Sequence, residues 1–160
     1  QQQCRRHIRR QADEIIEKMK EYAYPCANGT GSRAGLDAAT CARAYALTGD
    51  TRYRDAGHAL VHAQLGVNAL GRSWITGIGI NPPEEVTHAP STWRGYVVPG
   101  LPIFGPREFA SPPRATHARV LYETARPAPC PWMRLYAPVW EVPQVSEFTI
   151  RDIAEILVAY

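Results

Sequence analysis

The sequence predicts a mainly α protein interrupted by one long irregular segment. Three observations carry that prediction: apolar residues recur at helical spacing through the first third, prolines crowd the middle, and a second helical stripe closes the chain. Ile8, Ala12, Ile15, Ile16, Met19 and Tyr22 or Ala23 fall at intervals of three and four, which predicts an amphipathic helix over about 2–24, stopped by Pro25. A Gly-rich link, 26–32, leads to a second predicted helix over 33–47. Gly49 suits its C-terminal cap, and Asp50 or Thr51 suits the N-cap of a third helix over 51–65, which carries Tyr53, Ala56, Leu60 and Val61. Connections this short imply antiparallel neighbours. Of the 14 prolines, 13 lie between Pro82 and Pro143, so 66–146 reads as a loop region. Loops that long inside a compact domain tend to be functional. A last helix is expected over 147–158, with Ser146 as N-cap and Ile150, Ile153, Ala154 and Leu157 as its buried face. The whole of 1–160 reads as a single domain.

Composition narrows the function classes. An apolar fraction of 45% is that of an ordinary globular protein, and a net charge of +3 is too small to argue for nucleic acid or a membrane surface as partner. The basic run from Arg5 to Arg10 reads as a solvated helix face. No window approaches the roughly 18 apolar residues that span a bilayer. With neither an initiator Met nor a signal peptide, the chain reads as a processed product or a fragment. Cys4, Cys26, Cys41 and Cys130 form no C-x-x-C pair, which argues against a compact zinc site. They read either as disulfides or as free buried thiols. Disulfides, like the Asn28-Gly29-Thr30 glycosylation triplet, would suit an extracellular or periplasmic protein.

Trp74, Trp93, Trp132 and Trp140 all fall in the loop region. Aromatic faces there can stack on sugar rings or plug the base of the loops. His58 and His62 have the helical spacing of a two-imidazole metal site, but no Glu stands between them in the His-Glu-x-x-His sense and no third ligand is indicated, so no metal is assigned. Neither a phosphate-binding Gly-rich loop nor a Gly-x-Ser-x-Gly elbow is present.

The segment Leu65-Gly66-Val67-Asn68, continued by Ser73-Trp74-Ile75-Thr76-Gly77-Ile78-Gly79, resembles family 9 glycoside hydrolases, in which a Leu-Gly-x-Asn segment precedes a Ser-aromatic-hydrophobic-Thr/Val-Gly-x-Gly loop. Val98-Pro99-Gly100-Leu101 and Phe104-Gly105-Pro106 resemble that family's later turns, and Tyr136 with Ser146-Glu147-Phe148-Thr149-Ile150 resembles its C-terminal acid segment. The order and approximate spacing hold from about residue 33 to the end. The resemblance implies the C-terminal part of an (α/α)6 toroid of the six-hairpin glycosidase type, with substrate loops at one end. Far fewer helices can be placed here than such a ring contains, so the resemblance also implies association with a missing N-terminal segment or with other copies.

Inverting glycosidases use two carboxyl groups about 6.5–9.5 Å apart, one protonating the leaving oxygen and one activating water. The resemblance implies cleavage of a β-1,4-glucan or related polysaccharide or oligosaccharide, with Glu147 as general acid and no cofactor. The other reading of Glu147 is a carboxylate in the first turn of the last helix, favoured by its dipole. The family's Asp-Ala-Gly-Asp base segment is missing; Asp55-Ala56-Gly57-His58 lies in the wrong place. Where the family presents His-x-Arg, this chain reads Thr87-His88-Ala89, so His88 either replaces the lost imidazole or is an ordinary loop residue. Pro138 and Pro143 stand where the family has an Asp and an aromatic. Asn81, of the retained Gly-x-Asn, joins His88, Trp74, Trp93, Trp140 and Tyr136 as candidate sugar contacts. These departures keep a rival alive: a non-catalytic carbohydrate-binding or structural module on a degenerate glycosidase scaffold. A further rival is one piece of a longer or cleaved enzyme whose base lies on another segment.

Overall fold

The computed structural model describes residues 1–21, 30–106, 119–120, 123, 136–137 and 142–160. Six helices are described: α1 (Gln2–Glu21), α2 (Thr30–Thr48), α3 (Thr51–Gln64), α4 (Ala89–Arg94), α5 (Pro143–Ser146) and α6 (Ile150–Ala159). Among the described residues there is no strand, only an isolated antiparallel bridge between Ile75 and Pro102. The expected end of α1 near Tyr24 and Pro25 lies outside the described residues. No described helix is long and apolar enough to cross a membrane.

α2 is the central element, packed against α1, α3 and α6. Its small residues make this possible: Ala34, Ala38, Ala39 and Ala44 are buried, and a Cβ added at Gly35 would stand 2.6 Å from the Ile156 side chain of α6. α1 presents its predicted stripe inward. Ile15 meets Ala38, Cys41 and Leu60, while Ala12 meets Ala44 and Tyr53. α2 begins a turn earlier than expected and ends at Gly49, whose φ of 71° suits a residue without a Cβ. Asp50 caps α3 as expected, accepting a hydrogen bond from the Arg52 amide at 3.1 Å.

The C-terminal helix departs from expectation in both start and face. α6 begins at Ile150, not 147, because Thr149 rather than Ser146 is its N-cap. Thr149 Oγ1 accepts from the Asp152 amide at 3.2 Å, and Asp152 Oδ2 accepts from the Thr149 amide at 2.8 Å, a reciprocal capping box. Ser146 cannot cap α6: it is buried at the end of α5, its hydroxyl donating to the Val142 carbonyl at 2.8 Å. Shifting the start re-aims the helix. Asp152 and Ile156 are buried, Ile153 is half-buried, and the expected core residues Ile150 and Leu157 are 85% and 76% exposed. Ala154 is exposed beside them.

Candidate active site

The loop motif is fastened to the helices by its backbone. The Trp74 amide donates to the Gln64 carbonyl at 2.8 Å, the Ile80 amide to Leu65 at 2.9 Å, and the Ile103 amide to Trp74 at 2.8 Å. Thr76 Oγ1 donates to Val98 O at 2.6 Å and accepts from the Leu101 amide at 2.8 Å, clamping the 73–76 and 98–103 stretches together. Asn68 holds the turn before them, its amide group donating to the Ala63 and Arg72 carbonyls, both at 2.7 Å. Gly79, at φ 83°, passes so close that a Cβ would meet Leu65 O at 2.5 Å, which explains glycine there.

Glu147 lies outside α6, in the extended link between α5 and Ile150. Three backbone hydrogen bonds pin this link between two loops: the Thr87 amide donates to Ser146 O at 3.0 Å, Phe104 to Glu147 O at 2.8 Å, and Gly105 to Val145 O at 2.9 Å. The Thr87 and Ser146 hydroxyls add a hydrogen bond of 2.8 Å. Glu147 itself is exposed, so the partial burial expected for a groove carboxyl is not supplied by the described residues.

His88 comes to the same place. Its ring packs at a tilt on Phe148, with centroids 5.5 Å apart, and its Nδ1 is hydrogen-bonded to Ser91 Oγ at 2.8 Å. Trp93, on α4, is 83% exposed and presents an open face. Trp74 is only 3% exposed and packs with Val86 and Ile103 as a plug under the loops. Tyr136 meets Trp74 edge-on, with centroids 5.1 Å apart, while the Arg72 guanidinium lies over its ring at 5.3 Å. Among the described residues its hydroxyl is buried without a partner, and burial pushes it up to about 12. Asn81 adopts φ 44° and donates its side-chain amide to Gly71 O at 3.1 Å. Trp132, Trp140 and Pro138, with Cys26 and Cys130, lie outside the described residues.

Two open clefts border these loops. One, of about 490 Å3, is lined by Leu70, Arg72, Asn81, Pro82, Glu84 and Tyr136. The other, of about 420 Å3, has Glu84, Glu85, Ser91, Thr92 and Tyr96 in its walls. The sequence reading passed over Arg72 and Glu84, which no local pattern marks. It also passed over Gln64, fully buried, whose side chain donates to Gly31 O at 2.8 Å. His58 and His62 are both exposed on α3, and no group of three or more metal-ligating side chains forms among the described residues. Cys4 and Cys41 are free thiols, the first exposed and the second buried.

Helices packed around α2, with motif-bearing loops fastened to them by backbone hydrogen bonds, can be compared with known structures as a helical scaffold. No protein-family model and no curated protein matches the sequence. The solved structures of the family 9 endoglucanase J30 and of its zinc-binding triple mutant each superpose with a TM-score of 0.80 at 22% identity, covering 97% of this chain and 29% of theirs. A metagenome-derived family 9 endoglucanase gives a TM-score of 0.75 at 26% identity, covering 95% of this chain and 27% of its own. The chain therefore has the fold of family 9 endoglucanases over less than a third of their length, which fits the C-terminal portion that its motifs resemble.

Proposed function

We propose that this chain is the C-terminal part of an (α/α)6 catalytic domain, in an extracellular or periplasmic enzyme that cleaves β-1,4-glucan or a related polysaccharide with inversion. Glu147 is the general acid, and the base comes from a segment beyond these residues. The observation that carries the proposal is the setting of Glu147: an exposed carboxylate on a link pinned by backbone hydrogen bonds from two loops, at the position matching the family acid. A helix-dipole role is less suited to it, because α6 starts only after Thr149. His88 and Trp93 supply sugar contacts beside it; Asn81, Tyr136 and Trp140 complete the proposed set. Trp74, buried, supports the loops from below.

The test is Glu147→Gln in the intact protein. The amide keeps shape but cannot donate an acidic proton, so oligosaccharide binding persists while hydrolysis falls by about 10²–10⁴-fold. Normal hydrolysis by the variant removes the assignment. One observation favours the non-catalytic module instead: the family's His-x-Arg positions read Thr87-His88-Ala89 here, with His88 engaged by Ser91 and Phe148. That module would bind oligosaccharide and hydrolyse none, with or without Glu147.

A further inference from the structure

Gln64, the last residue of α3, is fully buried, and both polar atoms of its side chain are engaged. Nε2 donates to Gly31 O at 2.8 Å, and Oε1 accepts from the Tyr160 hydroxyl at 3.4 Å. A buried amide needs such partners, whereas an apolar side chain of similar size would need none. Gly35 makes room for it, since a Cβ there would stand 3.0 Å from Nε2.

What the amide holds leads to Glu147. Gly31 lies in the first turn of α2, where an N–H has no partner inside the helix. It donates instead to Phe104 O at 2.9 Å, and the Phe104 amide donates in turn to Glu147 O at 2.8 Å. The main chain of Gln64 reaches the same place by a second route. Its carbonyl accepts from the Trp74 amide at 2.8 Å, and the Trp74 carbonyl accepts from the Ile103 amide at 2.8 Å. Both routes meet at Ile103 and Phe104. The contact there is close: a Cβ at Gly31 would run into Ile103 O, and one at Gly105 would stand 3.0 Å from Gly31 N. Packing this tight leaves no slack, so a shift at Gln64 is passed on to the Glu147 backbone.

We propose that Gln64 is a positioning residue for Glu147, setting the place of its link through Gly31 and Phe104. The proposal rests on the general-acid reading of Glu147 and adds to it a residue too deeply buried to meet substrate. The test uses the intact protein and two substrates, β-glucan and an aryl β-glycoside whose leaving group needs little protonation. Gln64→Met keeps the length of the side chain and removes its donor. Its kcat on glucan is expected to fall by about 10–10²-fold with KM little changed, the scale on which a displaced catalytic group loses rate. On the aryl glycoside most of the rate is kept. Gln64→Glu recovers part of the loss on glucan, because burial keeps its carboxyl protonated and able to donate to Gly31 O. In a Glu147→Gln background Gln64→Met costs little more, since the group it positions is already gone. Only folded molecules contribute to the ratio of the two rates, so a merely structural role for Gln64 lowers both rates together. Should Gln64→Met fail to fold, Gly105→Ala disturbs the Gly31 contact from the loop side and is expected to give the same substrate-selective loss. No loss, equal loss on both substrates, or a full further loss in the Glu147→Gln background overturns the positioning role alone. If Glu147→Gln by itself impairs both substrates equally, the general-acid reading fails and the positioning role falls with it.

Discussion

Among the described residues the Tyr136 hydroxyl is buried with no partner, so folding strips its water and these residues return no hydrogen bond. Such a group costs about 1–3 kcal/mol when left unsatisfied. Tyr136→Phe is therefore expected to leave stability unchanged or raise it by up to about 1 kcal/mol in urea unfolding; a clear loss would mean the hydroxyl has a partner. Burial also acts on proton binding. It pushes the Cys41 thiol from 9.0 up to about 12, with Asp37 adding to the rise, and pushes the Tyr136 hydroxyl from 10.0 up to about 12. Each of these groups holds its proton more tightly folded than unfolded. The associated stability is complete below the unfolded value and is lost as pH rises through the folded one. The urea midpoint should thus hold steady to about pH 9 and fall between there and about pH 12, and Cys41→Ala should flatten the lower part of that fall. A midpoint flat to pH 12 would contradict the burial.

The last helix shows how a local signal competes with an equally plausible neighbour. Ser146 and Thr149 are both capping residues, but only Thr149 has a carboxylate three residues on, Asp152, to close the reciprocal bonds. Thr149→Ala should cost about 0.5–2 kcal/mol in urea unfolding. An unchanged midpoint would show that α6 is held by packing alone. The signal was present in the sequence as Thr-x-x-Asp, yet the stripe Ile150–Ala154–Leu157 drew the start and the buried face to the wrong register. Periodicity reports that a face is apolar, not which neighbour it meets. α1 and α3 were legible because their inward faces meet α2 within this chain. For the loops, periodicity gave nothing. Their placement was readable only through motif resemblance, and the clefts depend on Arg72, Glu84 and Tyr136 converging from distant positions, which no local pattern encodes.

Across the molecule, the two outer helices differ. α1 turns Arg5, Arg6, Arg9 and Arg10 outward and keeps its apolar stripe on α2 and α3, whereas α6 packs on α2 and leaves Ile150, Leu157 and Val158 in the open. Exposed apolar surface of that kind normally marks an interface. The chain also spans under a third of the endoglucanases whose fold it shares. By itself, the 160-residue chain is expected to sediment as an associated species, and Leu157→Glu should shift it towards monomer. A compact wild-type monomer at high concentration would count against a partial toroid.

The central claim, that Glu147 protonates the leaving oxygen, is tested most directly by leaving-group chemistry in the intact protein. Rates for wild type and Glu147→Gln are compared on β-glucan and on an aryl β-glycoside whose phenolate departs without help. General-acid catalysis supplies about 10²–10⁴-fold where protonation is needed, and little where it is not. The variant should lose most activity on glucan and regain much of its rate on the aryl substrate. Equal impairment on both substrates, or none on either, would contradict the role.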